Sequence, residues 1–311
     1  MRSAGWLLAA IVPALAIANW RSGTPMPLPR AGYIAGAVRG KLIIAGGSYW
    51  EGDRKIWSNR TDLYDPATGM WTAGPPLPVP RSDAACLVWN SELYAWGGGA
   101  EGSVSAECLR LKSGAWQTVP AMNLPEPRLY SVASELNRQI YVFGGIREAG
   151  KHETAANTLW RWDSRRRKWD VCASLPGPPR SLNGFAASGG ELYVLGGYTV
   201  QNGAAANLDD VWKYDPAKDQ WNPAGRFPVA RRAWWALPGP TGRVLLFGGY
   251  TDSFSAEIWS YDPKTATSAI AGSLPIALAD TKFFRIGREF AGAGGESGPH
   301  IRSRTTLQGA F

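Results

Sequence analysis

The chain has 311 residues and a formal net charge of +8, and its three cysteines and two histidines are too few for a disulfide scaffold or a histidine-rich metal site. Its 37 glycines, 23 prolines and 16 tryptophans favour many short strands joined by tight turns. The positive charge favours anionic partners. The one basic run, at residues 165–168, has the pattern of a solvated hairpin turn, so we expect no nucleic-acid binding.

The first eighteen residues differ from the rest of the chain. Arg2 precedes an apolar run at residues 5–17, and residues 16–18 have the small-x-small form of a signal-peptidase site. The run is shorter than a membrane-spanning helix requires. We predict that residues 1–18 are a signal peptide, and that the mature chain is periplasmic or secreted without a stable membrane anchor. The alternative is a buried N-terminal segment.

Pairs of glycines recur along the chain at intervals of 46 to 52 residues. Each pair follows a short apolar run, such as residues 139–143 or 191–195. A repeat of this length, with a glycine pair at the end of a strand, indicates a β-propeller with one blade per repeat. The six pairs lie at residues 46–47, 97–98, 144–145, 196–197, 248–249 and 294–295.

Two further features recur between the glycine pairs. A third strand ends in an aromatic residue followed by aspartate, as at Tyr64 and Tyr214, and seven residues later a tryptophan opens the fourth strand, as at Trp71 and Trp221. A tryptophan at this position buries a large flat surface between neighbouring sheets. The combination resembles the Kelch repeat over residues 20–311. It implies an all-β, six-bladed Kelch-type β-propeller with four-stranded blades.

The ring is expected to close through its two ends. The sixth unit stops at Phe311 before a fourth strand can form, whereas Trp20 followed by the sequence Pro-Leu-Pro-Arg copies the fourth-strand pattern that begins at Trp71. Pairing the two ends removes two otherwise exposed sheet edges. We therefore predict a single propeller domain over residues 19–311, in which the N-terminal strand completes the C-terminal blade.

Strand direction decides which loops share a face. The loop between the second and third strands of a blade and the loop that leads to the next blade emerge on the same side, which we call the site face. Long loops are expected there at residues 48–60, 146–157 and 198–208. Loops on a rigid scaffold often carry function.

An arginine recurs where each connection between blades ends on the site face. The positions are Arg30, Arg81, Arg128, Arg180 and Arg231, with Asp280 in the sixth place. Either these arginines attract an anion near the axis, or they bind backbone carbonyls of the adjoining blade and hold the ring together. The residues just beyond them are expected to line the channel mouth: Tyr33, Asp83, Tyr130, Asn183, Trp234 and Lys282.

The sixth glycine pair alone is followed directly by a carboxylate, Glu296, and Arg302 comes six residues later. This pattern predicts a general base beside an anion clamp, with the arginine holding the glutamate ionised. A structural ion pair within the loop is the alternative. We assign catalysis to Glu296 and Arg302, and substrate binding to Arg81, Arg128, Arg180, Tyr130, Asn183, Trp234 and His300.

The segment is similar to the Gly-Glu-x5-Arg loop of bacterial exported Kelch-type sialic acid mutarotases, also called N-acetylneuraminate epimerases. The resemblance implies an isomerase for N-acetylneuraminate or a related small carboxylated sugar, with Glu296 as proton acceptor and Arg302 as carboxylate partner. It implies neither a metal nor an organic cofactor. This chain is shorter and carries the loop in its last unit. The alternative is a non-catalytic Kelch propeller that binds a glycan or a protein.

Overall fold

Six four-stranded antiparallel sheets form a propeller ring in the computed structural model, which describes residues 18–310. The predicted all-β, six-bladed fold is confirmed. The predicted signal peptide lies outside the described residues except for Ala18, where the first strand begins. No helix within residues 18–310 is both long and apolar enough to cross a membrane.

The strands follow one another blade by blade, numbered here in chain order. The first strand is β1 (Ala18–Ser22), which belongs to blade 6. Blade 1 contains β2 (Ile34–Val38), β3 (Lys41–Ala45), the side hairpin β4 (Ser48–Glu51) and β5 (Arg54–Trp57), then β6 (Thr61–Asp65) and β7 (Met70–Ala73). Blade 2 contains β8 (Ser82–Trp89), β9 (Glu92–Gly99), β10 (Cys108–Lys112) and β11 (Ala115–Thr118). Blade 3 contains β12 (Val132–Leu136), β13 (Gln139–Phe143), β14 (Leu159–Asp163) and β15 (Lys168–Val171).

The second half of the chain repeats this arrangement. Blade 4 contains β16 (Gly184–Ser188), β17 (Glu191–Gln201), β18 (Ala204–Asp215) and β19 (Gln220–Arg226). Blade 5 contains β20 (Trp235–Pro238), β21 (Val244–Phe247), β22 (Glu257–Asp262) and β23 (Thr267–Ser273). Blade 6 contains β24 (Phe283–Ile286), β25 (Glu289–Ala293), the side hairpin β26 (Glu296–Gly298) and β27 (Ile301–Arg302), and β28 (Thr306–Ala310). Short 3₁₀ turns occur at Pro120–Met122, His152–Thr154 and Pro240–Gly242.

The N-terminal strand completes the last blade, as predicted. In blade 6 the strand order is β24, β25, β28 and β1, and β1 runs antiparallel to β28 with Arg21 opposite Gln308. The pairing continues beyond the strand, where the Gly23 amide donates to the Thr306 carbonyl oxygen at 2.8 Å. Trp20 packs edge-on against Phe283 in the same blade, with 5.6 Å between ring centroids. The ring is thus closed by backbone hydrogen bonds and by aromatic packing.

In blades 1 to 4 the repeated tryptophan binds its blade to the one before it. The indole nitrogen of Trp169 in blade 3 donates to the Met122 carbonyl oxygen at 3.1 Å. Trp221 in blade 4 reaches the Ala173 carbonyl oxygen at 2.7 Å. A buried indole N–H finds a partner in this way while its ring fills the space between sheets. The spacing of these tryptophans therefore reflects contacts between blades.

The glycine pairs lie where neighbouring blades approach most closely. A Cβ on Gly97 would stand 2.5 Å from the Arg128 carbonyl oxygen of the next blade, and the backbone φ of Gly97 is +71°. The following Gly98 donates its amide to that same oxygen at 2.7 Å. A side chain would both collide and strain the backbone here. Each pair is therefore a hydrogen-bonded contact with the next blade.

Two of the predicted long loops are hairpins. Residues 48–60 contain β4 and β5, and residues 198–208 are an extension of the β17–β18 pair, which bridges Tyr198 to Asn207. The cysteines are free and buried, with Cys86 on the first strand of blade 2 and Cys108 on its third. Their burial raises the pKa of each thiol.

Candidate functional site

A ring of six residues, one from each blade, surrounds the axis on the site face. All six have a left-handed backbone, with φ between +51° and +66°. Backbone amides in the ring donate to carbonyl oxygens of the preceding blade. The Tyr130 amide donates to the Asp83 carbonyl oxygen at 2.8 Å, and the Asp280 amide donates to the Ala233 carbonyl oxygen at 2.8 Å. We call these residues the mouth ring: Gly32, Asp83, Tyr130, Leu182, Ala233 and Asp280.

The mouth ring separates two cavities. On the site face lies a cavity of about 320 Å³, which we call the site cavity; the hairpins and loops of blades 1, 3, 5 and 6 form its walls. Deeper along the axis lies a channel pocket of about 90 Å³ between the innermost strands. Five residues of the mouth ring line both. The site cavity is of the size that binds a small molecule or a single side chain.

Two carboxylates of the mouth ring flank Gly32. Asp280 Oδ2 accepts the Gly32 amide at 2.5 Å, and Asp83 lies so close to Gly32 that a Cβ there would overlap its Oδ1. Burial, reinforced by the charge of Asp280, raises the pKa of Asp83 to about 6, against the opposing charge of Lys55. Gly32 is therefore the position that makes room for two acidic groups side by side.

We expect Asp83→Asn to stabilise the protein at neutral and alkaline pH. The pKa of Asp83 is raised in the folded state, so ionisation favours unfolding and wild-type stability falls as the pH rises through about 6. Asparagine keeps the shape and tolerates the φ of +59°. The gain should reach at most about 3 kcal/mol at pH 8 and vanish near pH 4, measured by urea unfolding. An equal gain at both pH values would contradict the shifted pKa.

Glu296 and Arg302 meet in the site cavity. The β26–β27 hairpin places them directly opposite each other, and Arg302 Nη1 donates to Glu296 Oε1. Arg302 also donates from Nε to the Ser48 carbonyl oxygen at 3.3 Å. Burial raises the pKa of Glu296, with Asp280 and Asp83 adding to the shift and Arg302 only partly opposing it. Arg302 thus favours the ionised form of Glu296, as predicted for a neighbouring cation, but its effect on the pKa is smaller than that of burial.

His300 does not line the site cavity. It is exposed at the tip of the same hairpin, with φ at +59°, and its ring stacks on Trp50 with 3.9 Å between centroids. Trp50 belongs to the hairpin of blade 1. His300 thus joins two neighbouring hairpins outside the cavity.

An aromatic wall faces the carboxylates from blades 3 to 5. Tyr130 and His152 stack with 5.5 Å between centroids, and His152 Nδ1 lies 3.0 Å from Ser181 Oγ. Burial and the nearby charge of Arg232 lower the pKa of His152. Tyr250 packs edge-on against Phe254 at 5.2 Å, and both line the cavity. Of this wall the sequence predicted only Tyr130. His152, Tyr250 and Phe254 were missed, because they lie on loops of different length in blades 3 and 5.

Arg232 is the cation of this wall. Its guanidinium lies between Tyr198 and Tyr250, 4.6 Å and 4.5 Å from their ring centroids, and Nη1 donates to Asn207 Oδ1 at 2.7 Å. Among residues 18–310, no carboxylate lies within ion-pair distance of it. In the sequence, the only sign of Arg232 is that it directly follows Arg231. The arginine repeat points to Arg231, whereas Arg232 is the residue that lines the cavity.

The repeated arginines lie outside the site cavity. Arg81, Arg128 and Arg180, which we had assigned to substrate binding, are buried and ion-paired with Glu107, Glu126 and Asp210. Arg81 and Arg180 also donate to carbonyl oxygens of their own blades' first glycines at 2.9 and 3.1 Å. Donors committed in this way are not available to a ligand, so the geometry fits the structural role.

The sixth place in the arginine series belongs to Leu278. The Leu278 carbonyl oxygen accepts the Gly249 amide at 2.8 Å, just as that of Arg81 accepts the Gly47 amide at 2.8 Å. Asp280 instead occupies the mouth ring, in the place equivalent to Asp83. The arginine series predicted from the sequence includes Asp280, which lies two residues beyond the true equivalent, Leu278.

The other expected mouth residues lie deeper. Asn183, Trp234 and Lys282 line the channel pocket and are buried. Trp234 Nε1 donates to the Leu195 carbonyl oxygen at 3.1 Å, and Lys282 Nζ donates to the Tyr33 carbonyl oxygen at 2.6 Å. Of the assigned substrate-binding residues, the structure thus brings only Tyr130 to the site cavity beside Glu296 and Arg302.

No group of three or more histidine, cysteine, aspartate or glutamate side chains within the described part of the chain is arranged to hold a metal ion. The chemistry available in the site cavity is that of carboxylates, tyrosines, one histidine, two arginines and Lys55.

Comparison with known proteins agrees with the architecture. The KLHDC2/KLHL20/DRC7 Kelch-repeats domain matches residues 83–272, and the Kelch motif matches residues 29–78. Kelch-like protein 25 of Xenopus tropicalis is 27% identical over 220 residues, which cover 68% of this chain and 35% of that protein. Human Kelch-like protein 33 is 34% identical over 151 residues, 48% of this chain and 27% of that protein.

A fungal relative shows a similar match. Kelch-like protein terF of Aspergillus terreus is 26% identical over 222 residues, 65% of this chain and 46% of that protein. The chain spans about a third of the length of the first relatives it matches. With family models matching most of the six-bladed ring, the chain belongs to the Kelch-repeat family of β-propellers.

Proposed function

We propose that this chain is a non-catalytic Kelch propeller that binds a glycan or a protein segment in the site cavity. The observation that carries the proposal is the site cavity itself, which lies at the axis where loops from four blades converge. Its two walls differ in chemistry. Tyr130, His152 and Tyr250 offer flat apolar faces, and Asp83 and Asp280 offer hydrogen-bond acceptors opposite them.

Such a cavity suits a compact group that has both an apolar face and hydrogen-bonding edges. A sugar ring has this character, and so does a polar side chain presented by a protein loop. The similarity to Kelch-like proteins supports a binding role more than an enzymatic one. Export of the chain, which the N-terminal pattern predicts, would place the ligand outside the cytoplasm.

The two histidines of the chain provide the test. His152 lines the site cavity and His300 does not, so their ring proton resonances report binding inside and outside it. We would titrate the protein with N-acetylneuraminate, with N-acetylglucosamine and with an acetylated glutamate peptide. Binding in the cavity shifts the His152 resonance and leaves that of His300 in place. If none of the three moves His152 selectively, the proposal is wrong for these ligand classes.

A second candidate function is the equilibration of sugar anomers. The observation that favours it is the Glu296–Arg302 pair, which lies in the site cavity close to Asp83 and Asp280. Opening a pyranose ring requires a base for the anomeric hydroxyl proton and an acid for the ring oxygen. Glu296 would be the base, and Asp83, with a pKa of about 6, is a better-placed acid than the exposed His300.

Anomer equilibration separates the two functions. Fresh N-acetylneuraminate anomer is followed by proton NMR with and without the protein. For a mutarotase, the wild-type protein exceeds the uncatalysed rate, and Glu296→Gln lowers that excess by about 10²–10⁴-fold, the usual contribution of a positioned base. A wild-type rate equal to background, together with a shifted His152 resonance, supports the binding module and eliminates the enzyme.

A further inference from the structure

We propose that Arg232, and not Arg302, is the residue that holds a carboxylate group of the ligand in the site cavity. The inference deepens the proposed function, since it names the ligand chemistry of the same cavity. It predicts a ligand in which a carboxylate is attached to a ring or to another flat body that can lie against the aromatic wall.

The first step concerns which cation is free. Arg302 already donates to the Glu296 carboxylate and to the Ser48 carbonyl oxygen, so a ligand would have to displace Glu296. The repeated arginines are buried in ion pairs away from the cavity. Lys55 also lines the cavity, but its charge acts on Asp83, whose pKa it lowers against the effect of burial. Arg232 lines the cavity, and no carboxylate of the described residues pairs with it. Its one side-chain hydrogen bond there goes to the neutral amide of Asn207.

The second step concerns orientation. Tyr198 and Tyr250 hold the guanidinium between them at about equal distances, 4.6 and 4.5 Å, and Asn207 fixes one end of its fork. Asn207 is itself anchored, because its Nδ2 donates to the Thr251 carbonyl oxygen at 3.2 Å. A planar guanidinium restrained in this way loses little freedom when it binds a carboxylate, and its remaining donors match two oxygens at once.

The third step concerns the rest of the ligand. Tyr250, Phe254 and the His152–Tyr130 stack surround Arg232 on the cavity side. Across the cavity stand Asp83 and Asp280, which would repel a carboxylate placed on their side. Charge therefore orients the ligand, with its carboxylate at Arg232 and its hydrogen-bond donors towards the mouth ring.

Benzoate and benzamide form the matched pair of probes, since they share shape and differ in charge. We expect the wild-type protein to bind benzoate roughly five- to tenfold more tightly than benzamide, because charge-assisted hydrogen bonds are stronger than neutral ones. In Arg232→Gln this preference should fall to about one. Arg285→Gln removes the same charge from an exposed position on β24, outside the cavity, and is the control. Affinities are measured by ligand-observed NMR.

A second readout uses His152. Its charged neighbour is Arg232, with Glu153 acting in the opposite direction, and the rings of Tyr130 and Tyr198 pack against it. Because Arg232 lowers the pKa of His152, both Arg232→Gln and benzoate binding to the wild type should raise that pKa, followed by NMR titration. A role of Arg232 in folding alone would not produce a benzoate-dependent shift.

Three results would overturn the assignment. They are equal affinity for benzoate and benzamide in the wild type, a benzoate preference that survives in Arg232→Gln, or a preference that is lost in Arg302→Gln but kept in Arg232→Gln. The proposed function is judged separately. If N-acetylglucosamine shifts His152 while benzoate shows no preference, the cavity binds ligands and Arg232 is not the anchor.

Discussion

A chain that begins at Ala31 is expected to lose its cooperative thermal unfolding transition and to aggregate. The truncation removes β1, leaves β28 as an unpaired edge, and deletes Met26, which is fully buried. It also removes Arg30, the buried partner of Asp62. Losses of this kind together approach the whole stability of a typical domain, about 5–15 kcal/mol. An open hydrogen-bonding edge also invites association between copies.

The control is a chain that begins at Ala18, which keeps β1 and should melt like the full-length protein. Trp20→Ala is a milder change at the same place and should cost about 3 kcal/mol, because the ring covers Gly309 and packs on Phe283 and Phe247. Melting is followed by circular dichroism and by calorimetry. If the chain that begins at Ala31 melts at the same temperature as the control, ring closure through β1 contributes nothing.

The second large effect is expected from Asp62→Asn. Asp62 and Arg30 are joined at 2.5 Å, and neither side chain is exposed to solvent. Asparagine keeps one side-chain acceptor but no charge, so the Arg30 guanidinium stays in the interior without a counter-ion, bonded also to the Gly46 and Arg60 carbonyl oxygens. The half-exposed Arg60 loses the same partner. Breaking one half of a buried ion pair costs about 3–5 kcal/mol. The free energy of unfolding in urea measures the loss.

The other blades provide a graded control series. The partner of Arg180, Asp210, is 18% exposed, and the partner of Arg81, Glu107, is 50% exposed. Water screens an exposed carboxylate, so Asp210→Asn should cost less than Asp62→Asn, and Glu107→Gln should cost less than about 1 kcal/mol. A similar loss for all three variants would show that burial of the carboxylate does not set the strength of these pairs.

Much of the fold could be predicted from the sequence because the same local requirement recurs in every blade. A glycine pair is needed wherever the chain meets the next blade, as at Gly97 beside Arg128, and the tryptophan of the fourth strand fills the space between sheets. Ring closure followed from the same pattern, since Trp20 has the spacing of Trp71. Such contacts leave a regular trace in the sequence.

The residues of the site cavity were harder to predict from the sequence. Arg232 depends on Tyr198 and Tyr250, which directly follow the glycine pairs of blades 4 and 5, and a tyrosine stands at this position in no other blade. The sixth blade lacks the arginine, so only the spacing to the glycine pair marked Leu278 as its equivalent: Leu278 precedes Gly294 by 16 residues, as Arg81 precedes Gly97. Asp280, two residues later, was predicted instead. The hairpins at residues 48–60 and 198–208 lack strong apolar alternation, because much of their surface is exposed. Contacts that occur only once and join distant segments can be identified only from the three-dimensional structure.

The closure of blade 6 also constrains the order of events when the protein is made. Arg21 pairs with Gln308, so almost the entire chain separates the two strands that close the ring. During synthesis β1 remains without its partner until β28 emerges, and contacts between such distant segments form slowly. Until then the growing chain exposes the unpaired hydrogen-bonding groups of β1 and the apolar side of Trp20. Unpaired strands and exposed apolar surface favour aggregation, so the chain is vulnerable until β28 is made.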